Sequence, residues 1–390
     1  MRRILLLAAT ILSGVVPAHA QDDTAALIAR IEGPQSPNRQ GFDSLSIEQL
    51  MQRFKVPGVS IAVIKDFKIH WAKGYGVADV ETGRAVDVNT PFQAASISKP
   101  VTAMAALRLA QEGKLNIDAD INTILKSWKV PASDLNRDQP VTPRSLMSHT
   151  SGADDGFGFP GYDPSAPRPT LVQILNGEKP SNVGAVRFAR RPYSGQKYSG
   201  GGTVIMQLAL MELTGKPFAE LMQEKVLGPL GMTNSSYEQP PVGDLAERTS
   251  RAHDGQGKSM GAKWHVYPEQ APAGLWTTPS DLARFAIEVQ LANRGWQSKV
   301  LTQATVKDML APTGVGPFAV GFTIEKKGEG WYFSHSGGNW GFLCDLQAHV
   351  RKGYGVAIMT NGSNFQIINE LEARIAAAYG WDTLDKPIPR

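Results

Sequence analysis

Ser96-Ile97-Ser98-Lys99 places a hydroxyl and an amine three residues apart at the head of an apolar run. A serine hydroxyl is a weak nucleophile at neutral pH. It needs a base close by and donors for the oxyanion it creates. At a helix start, residues three apart face the same side, so the Lys99 amine can reach the Ser96 hydroxyl. Burial against the apolar run would lower the lysine pKa and make neutral amine available. The helix N-terminus would add N–H groups and positive potential where negative charge develops. The chemistry expected of such a pair is acyl transfer through a serine ester.

Two competing patterns fail on context. S-x-x-K recurs at Ser194-Gly195-Gln196-Lys197, but in a glycine-rich loop outside any apolar helix. A motif this short arises by chance about once in a chain of this size. Gly257-Lys258-Ser259-Met260-Gly261 spells G-x-S-x-G. A nucleophile elbow needs an apolar strand before it and a helix after it, and residues 248–256 are polar and irregular.

The elements around Ser96 can be read from periodicity. Ser46 caps a short helix to residue 54, and residues 59–63 and 69–75 form a hairpin about Lys65-Asp66. The run from 96 to 112 is apolar nearly all round and closes at Gly113, so it predicts a buried helix. Residues 115–278 read as helices and long loops, with helices opening at Thr142-Pro143 and spanning 203–214 and 217–227. Residues 238–272 have no period. A helix over 279–291 follows, then strands over 319–326, 331–335, 342–350 and 355–360, with Gly353 in the last turn, and a helix over 366–379. Strands joined by tight turns favour an antiparallel sheet. The expected fold is α+β: an antiparallel sheet from both chain ends, flanked by the terminal helices, with a mostly helical lobe inserted. The α/β lobe takes about 43–95 and 279–385 and the helical lobe about 96–278. The site is expected where they meet.

Further segments fall in order behind Ser96. Tyr198-Ser199-Gly200 opens the helix near Thr203, and His335-Ser336-Gly337-Gly338 closes a strand and turns into Asn339-Trp340-Gly341. With these, the chain resembles the serine β-lactamase and penicillin-binding superfamily, class C β-lactamases and family VIII carboxylesterases in particular. Phe92-Gln93-Ala94-Ala95 resembles the family's lead-in to the serine. Thr142 to Gly152 resembles its T-P-R-x-L-L-x-H-T-S-G segment, and Gly274 to Leu282 its G-L-x-S-T-x-x-D-L segment. The resemblance covers about residues 45 to 380, and five ordered matches are far more specific than one.

The resemblance implies that Ser96 is acylated by an ester or amide carbonyl, with Lys99 and Tyr198 as one coupled base. It implies an oxyanion hole from the N–H groups of Ser96 and Gly338, and a substrate wall including His335, Ser336, Gly337 and Gly200. Two residues depart from the β-lactamase pattern. Gly200 stands where those enzymes have Asn, and His335 where many relatives have a permanently charged lysine. A histidine is mostly neutral at pH 7. Both changes weaken the grip on a β-lactam's amide and carboxylate. The expected substrate is therefore a small-molecule ester or peptide-like amide, the alternative a β-lactam or cell-wall D-peptide. A penicillin-binding sensor without turnover is a third reading, opposed by the intact Ser96, Lys99 and Tyr198. No cofactor is called for.

Composition excludes other classes. The 390 residues are 42% hydrophobic and 19% charged, ordinary for a globular chain. Residues 1–20 read as a secretory signal: Arg2-Arg3, an apolar stretch too short to span a bilayer, then Ala18-His19-Ala20 with cleavage after Ala20. That predicts a periplasmic or secreted protein without a stable membrane anchor. The leader arginines carry half of the formal +4 charge, and without a dense basic stripe the chain is no nucleic-acid binder. The single cysteine, Cys344, excludes an internal disulfide and reads as a small buried hydrophobe. His149 reads as a structural hydrogen-bonding residue, and Asp154-Asp155 matches no metal spacing. Trp264, Tyr267, Phe157 and Phe159 are candidates for lining a substrate pocket, although aromatics in long loops more often pack the loop down.

Overall fold

The computed structural model describes residues 18–35, 42–156 and 158–382. Most of the expected signal, and Phe157, lie outside them. The N-terminal stretch yields a helix, Ala18–Glu32, that the sequence reading did not assign.

Nine strands follow in chain order among the described residues: β1 (Gly58–Lys65), β2 (Lys68–Asp79), β3 (Arg84–Ala85), β4 (Phe92–Gln93), β5 (Trp276–Thr277), β6 (Thr323–Lys327), β7 (Gly330–Asn339), β8 (Phe342–His349) and β9 (Gly355–Thr360). Seven form one antiparallel sheet in the order β3-β2-β1-β9-β8-β7-β6. The chain's two ends meet at its centre, where Val59 lies opposite Thr360 and Val63 opposite Val356.

Both faces of the sheet are covered, which is why β1 is buried for seven residues running instead of alternating. Val59, Ile61 and Val63 face a cluster with Leu50 and Phe54 of the Ile47–Phe54 helix and Ile367 and Leu371 of the Gln366–Tyr379 helix. Ala62 and Ile64 face the larger core, which includes Phe285 of the Pro279–Arg294 helix and runs on into the helical middle. Ser46 caps the Ile47–Phe54 helix through a full capping box with Gln49.

The inserted segment leaves and returns at one place. Phe92 pairs with Thr277 and Gln93 with Trp276, and the Ala94 N–H donates to the Leu275 carbonyl. Three expected elements differ in detail. Residues 319–322 are not strand: Gly321 turns there at φ +88°, packed so closely on Pro100 and Ala103 that a Cβ would meet them below 3 Å. The expected helix over 217–227 is helical only as Phe218–Met222, then widens into a π-turn over Gln223–Leu227. β7 runs past His335 to Asn339, because β8 pairs with Gly337 and Gly338 despite their weak strand propensity.

Candidate active site

Ser96 does not lie in regular α-helix. It sits in a 3₁₀ turn, Ala95–Ile97, that feeds the helix Ser98–Gln111. Ala95 holds φ +46°, a strained value for a residue with a Cβ. Several contacts impose it. The Ala94 carbonyl accepts from Ile97 N–H at 3.0 Å and from the Cys344 thiol at 3.1 Å. β7 crosses directly over the turn at Gly337, where a Cβ would lie 2.4 Å from the Ala94 carbonyl and 3.1 Å from the Ala95 Cβ. Glycine is required there by close backbone approach. Cys344 is buried, as expected, and ties the turn to the sheet.

The buried Lys99 Nζ lies 3.0 Å from Ser96 Oγ and donates to the Pro272 carbonyl at 3.1 Å. Burial depresses its pKa to about 7, against a smaller upward pull from Asp155. Tyr198 completes the group: its ring lies under the ammonium, 4.9 Å from Nζ to centroid. Burial pushes its phenol well above the ordinary value, partly offset by a hydrogen bond with Ser96.

The Tyr198 ring stacks 4.3 Å from His149, with Phe318 5.9 Å and His335 6.0 Å away. His149 Nδ1 accepts from the Ser199 N–H at 3.2 Å and its carbonyl from the Lys197 N–H at 2.9 Å. It pins the strand-like approach to Tyr198, the structural role expected. Gly200 and Gly201 begin the helix Gly200–Thr214. Phe159 occupies the space a side chain at 200 would need, 2.7 Å from an ideal Cβ. The Asp155 carboxylate accepts from the Gly201 N–H at 2.7 Å and from the Ser199 hydroxyl, anchoring an anion at the helix N-terminus. Sequence reading weighed Asp155 only as a metal ligand and missed this role. Among the described residues no cluster of His, Cys, Asp or Glu could hold a metal.

The opposite wall is the free end of β7. β6 pairs with β7 only as far as Ser334, so His335 to Asn339 keep one edge open toward the cleft. The Asn339 amide donates to Gln93 Oε1 at 2.9 Å and to the Ala273 carbonyl at 3.0 Å. One side chain thus fastens the end of β7, the lead-in to Ser96 and the turn whose Pro272 carbonyl holds Lys99. Nothing in the sequence pattern marked it.

Together these residues line a cleft of about 650 Å³ that contains Ser96, Lys99, Tyr198, His335, Ser336, Gly337 and Gly338. Phe159, Phe318, Leu343 and Phe365 supply its apolar surface, and Lys99 is its only cationic side chain among the described residues. Gly200 is buried behind Phe159, not on the cleft wall. The two set-aside serines are elsewhere. Ser194 donates to the Arg191 carbonyl and Ser259 to Glu81.

Residues 46–379 match the β-lactamase family model. Protein flp of Staphylococcus aureus (strain MRSA252) is 25% identical over 339 residues, 83% of this chain, which spans 63% of that relative's length. Esterase EstB of Burkholderia gladioli is 26% identical over 343 residues, covering 80% of each chain. Among solved structures, the octameric penicillin-binding protein homologue of Pyrococcus abyssi superposes with a TM-score of 0.71 at 23% identity, over 88% of this chain and 78% of that one. The D-amino acid amidase of Ochrobactrum anthropi superposes at 0.68 and 20%, over 92% and 98%.

Proposed function

Since the chain belongs to the β-lactamase family of serine hydrolases, we propose that it hydrolyses small neutral esters or peptide-like amides through an acyl-enzyme on Ser96. The observation that carries this reading is the Ser96–Lys99 pair, 3.0 Å apart, with the amine held near pH 7. At that pH about half of Lys99 is neutral. Neutral Lys99 keeps its bond to the Pro272 carbonyl and turns its lone pair to the Ser96 hydroxyl.

Ser96 Oγ then bonds the substrate carbonyl carbon and its proton passes to Lys99. The carbonyl oxygen takes its charge between the N–H groups of Ser96 and Gly338. Tyr198, kept protonated by burial, hands a proton to the departing alcohol or amine and is refilled from Lys99. Water attacks the acyl-enzyme by the same steps in reverse, releasing acid and free Ser96.

Esters and neutral amides are favoured over β-lactams and D-peptides because, among the described residues, the cleft has no cation other than the base itself to meet a carboxylate. The EstB likeness supports the same choice. We read residues 1–20 as an export signal; among the described residues no helix is long and apolar enough to cross a membrane.

The test compares kcat/KM for a short-chain nitrophenyl ester and a chromogenic cephalosporin, with Ser96→Ala as control. Ester turnover well above cephalosporin turnover, both lost in the variant, is expected. Preference for the cephalosporin overturns the substrate assignment. Full activity in Ser96→Ala overturns the nucleophile.

A further inference from the structure

His335 stands at the mouth of the catalytic group with an unusual polarity. It lines the cleft and is only 6% exposed. Its Nδ1 lies 2.6 Å from the Ser336 carbonyl oxygen. A carbonyl oxygen can only accept, so Nδ1 carries the proton. Burial, reinforced by the Lys99 ammonium, holds the imidazole pKa down to about 3, leaving it neutral. In neutral imidazole with Nδ1–H, Nε2 is a bare lone pair. Nε2 is buried and has no partner in the structure.

An orphaned buried acceptor costs free energy until a donor reaches it. No protein donor among the described residues reaches it, and Lys99, the Thr323 hydroxyl and the Asn339 amide donate elsewhere, to Ser96 and Pro272, to the Ser334 carbonyl at 2.9 Å, and to Gln93 and Ala273. His335 also lies on the Tyr198 side of the cleft, with the rings 6.0 Å apart, where the proposed mechanism puts the leaving group. Along β7 it is three residues, or about 10 Å, from Gly338.

We infer that His335 Nε2 reads a hydrogen-bond donor on the leaving group, so the preferred substrates are esters or amides whose leaving group carries a free hydroxyl or N–H. This rests on the hydrolase reading above and narrows it. It also reverses the preference that a lysine would create. A carboxylate would face a lone pair without a proton between them, whereas a polyol, an amino alcohol or an amide N–H would fill the gap.

The experiment measures kcat/KM for two matched ester pairs of butyrate, 2-hydroxyethyl against propyl and 3-hydroxypropyl against butyl. Carboxymethyl butyrate serves as the carboxylate probe. Each pair exchanges a terminal methyl for a hydroxyl. In the wild-type enzyme at least one hydroxyl ester is expected to exceed its partner by about 10-fold, the range set by leaving one buried acceptor unpaired, and the carboxylate to be the poorest. His335→Phe should bring the ratio near one, and His335→Lys should raise the carboxylate ester relative to the alkyl esters. The wild-type ratios alone decide the matter if a variant fails to fold. Alkyl and hydroxyl esters hydrolysed equally, or a preference that persists in a folded His335→Phe, overturns the inference and leaves the hydrolase reading intact. No turnover of any ester overturns the hydrolase reading itself.

Discussion

Gly337 and Gly338 are neighbours on one strand, yet the structure predicts opposite responses to one added methyl. At Gly337 an ideal Cβ falls 2.4 Å from the Ala94 carbonyl oxygen, 2.6 Å from Cys344 Sγ and 3.1 Å from the Ala95 Cβ. Ordinary contact begins near 3.4 Å, so β7 and the Ser96 turn must part by about 1 Å. Neither can yield cheaply, because the first clash is with backbone. Parting them moves the Gly338 N–H away from the Ser96 N–H, and a 1 Å misplacement of catalytic groups costs on the order of 100-fold in rate. At Gly338 the nearest atom is Leu343 Cδ2 at 3.2 Å, the far end of a side chain that can rotate away. Gly337→Ala is therefore expected to lower kcat for a nitrophenyl ester by about 100-fold and to destabilise the fold by about 1–3 kcal/mol, the range for overpacking. Gly338→Ala should stay within a few-fold of wild type. Cys344→Ala in the Gly337→Ala background removes the sulfur clash but not the Ala94 clash, so it should not restore kcat. Thermal melts establish that each variant is folded. A folded Gly337→Ala with wild-type kcat would refute the claim that this contact sets the distance between nucleophile and oxyanion donors.

Three other outcomes follow from buried charges. If Lys99 is the base, kcat/KM for a neutral ester falls as pH drops through about 7, because the amine is protonated below that pH. Asp155 pulls that pKa upward, so Asp155→Asn should move the acid limb to lower pH, read from a full pH profile; an unmoved limb would show that another group titrates. The Glu269 carboxyl is fully buried, and burial raises its pKa from 4.5 to about 7 against smaller downward pulls from its own backbone N–H and the Tyr162 hydroxyl. The native state holds this proton longer than the unfolded chain, so stability falls from about pH 4.5 upward and the penalty is complete above 7. Glu269→Gln should recover about 3 kcal/mol at pH 8 and little at pH 4 in denaturant titrations. Arg374 is fully buried, pairs with Glu370 at 2.8 Å and donates to the carbonyls of Gly33 and Phe42. Arg374→Met, which removes the buried ion pair with Glu370 and undoes the clasp on the N-terminal segment, should cost about 3–5 kcal/mol by the same titrations.

Where the sequence was informative, a local pattern coincided with a local structure. Ser46, Gly113 and Gly215 sit at helix ends as their types demand, and the last helix spans the residues its apolar period marked. The Ser96–Lys99 approach followed from three-residue spacing even though the intervening turn is 3₁₀. What escaped were contacts between residues far apart in the chain. Asp155 reaches Ser199 across 44 residues and Asn339 reaches Gln93 across 246, and neither spacing has a period. The segment over 238–272 looked formless because its helix, Gly243–Arg248, and the turn opening at Gln270 are too short to show a period, and much of the rest is held by isolated bridges and by side chain to backbone bonds. Gln239 donates to the Gly274 carbonyl, and the Tyr267 hydroxyl accepts from the Trp340 N–H. Such bonds leave no alternation to read. Gly321 delays the start of β6 for a related reason, since its positive φ serves a helix packed from elsewhere.

The joining of β1 to β9 also governs when this protein can come into being. Val59 and Thr360 are partners at the centre of the sheet, with about 300 residues of chain between them, a separation that slows closure of any such pairing. A ribosome delivers the first hairpin and the Ser96 turn long before the strands that complete them. Until residues 355–360 emerge, β1 lacks its central neighbour. Until β7 emerges, the turn lacks the strand that imposes its strained backbone. The centre of the sheet therefore stays open until residues 355–360 are available. Such lateness delays the meeting of the Ser96 turn with the strand that shapes it until folding is nearly complete.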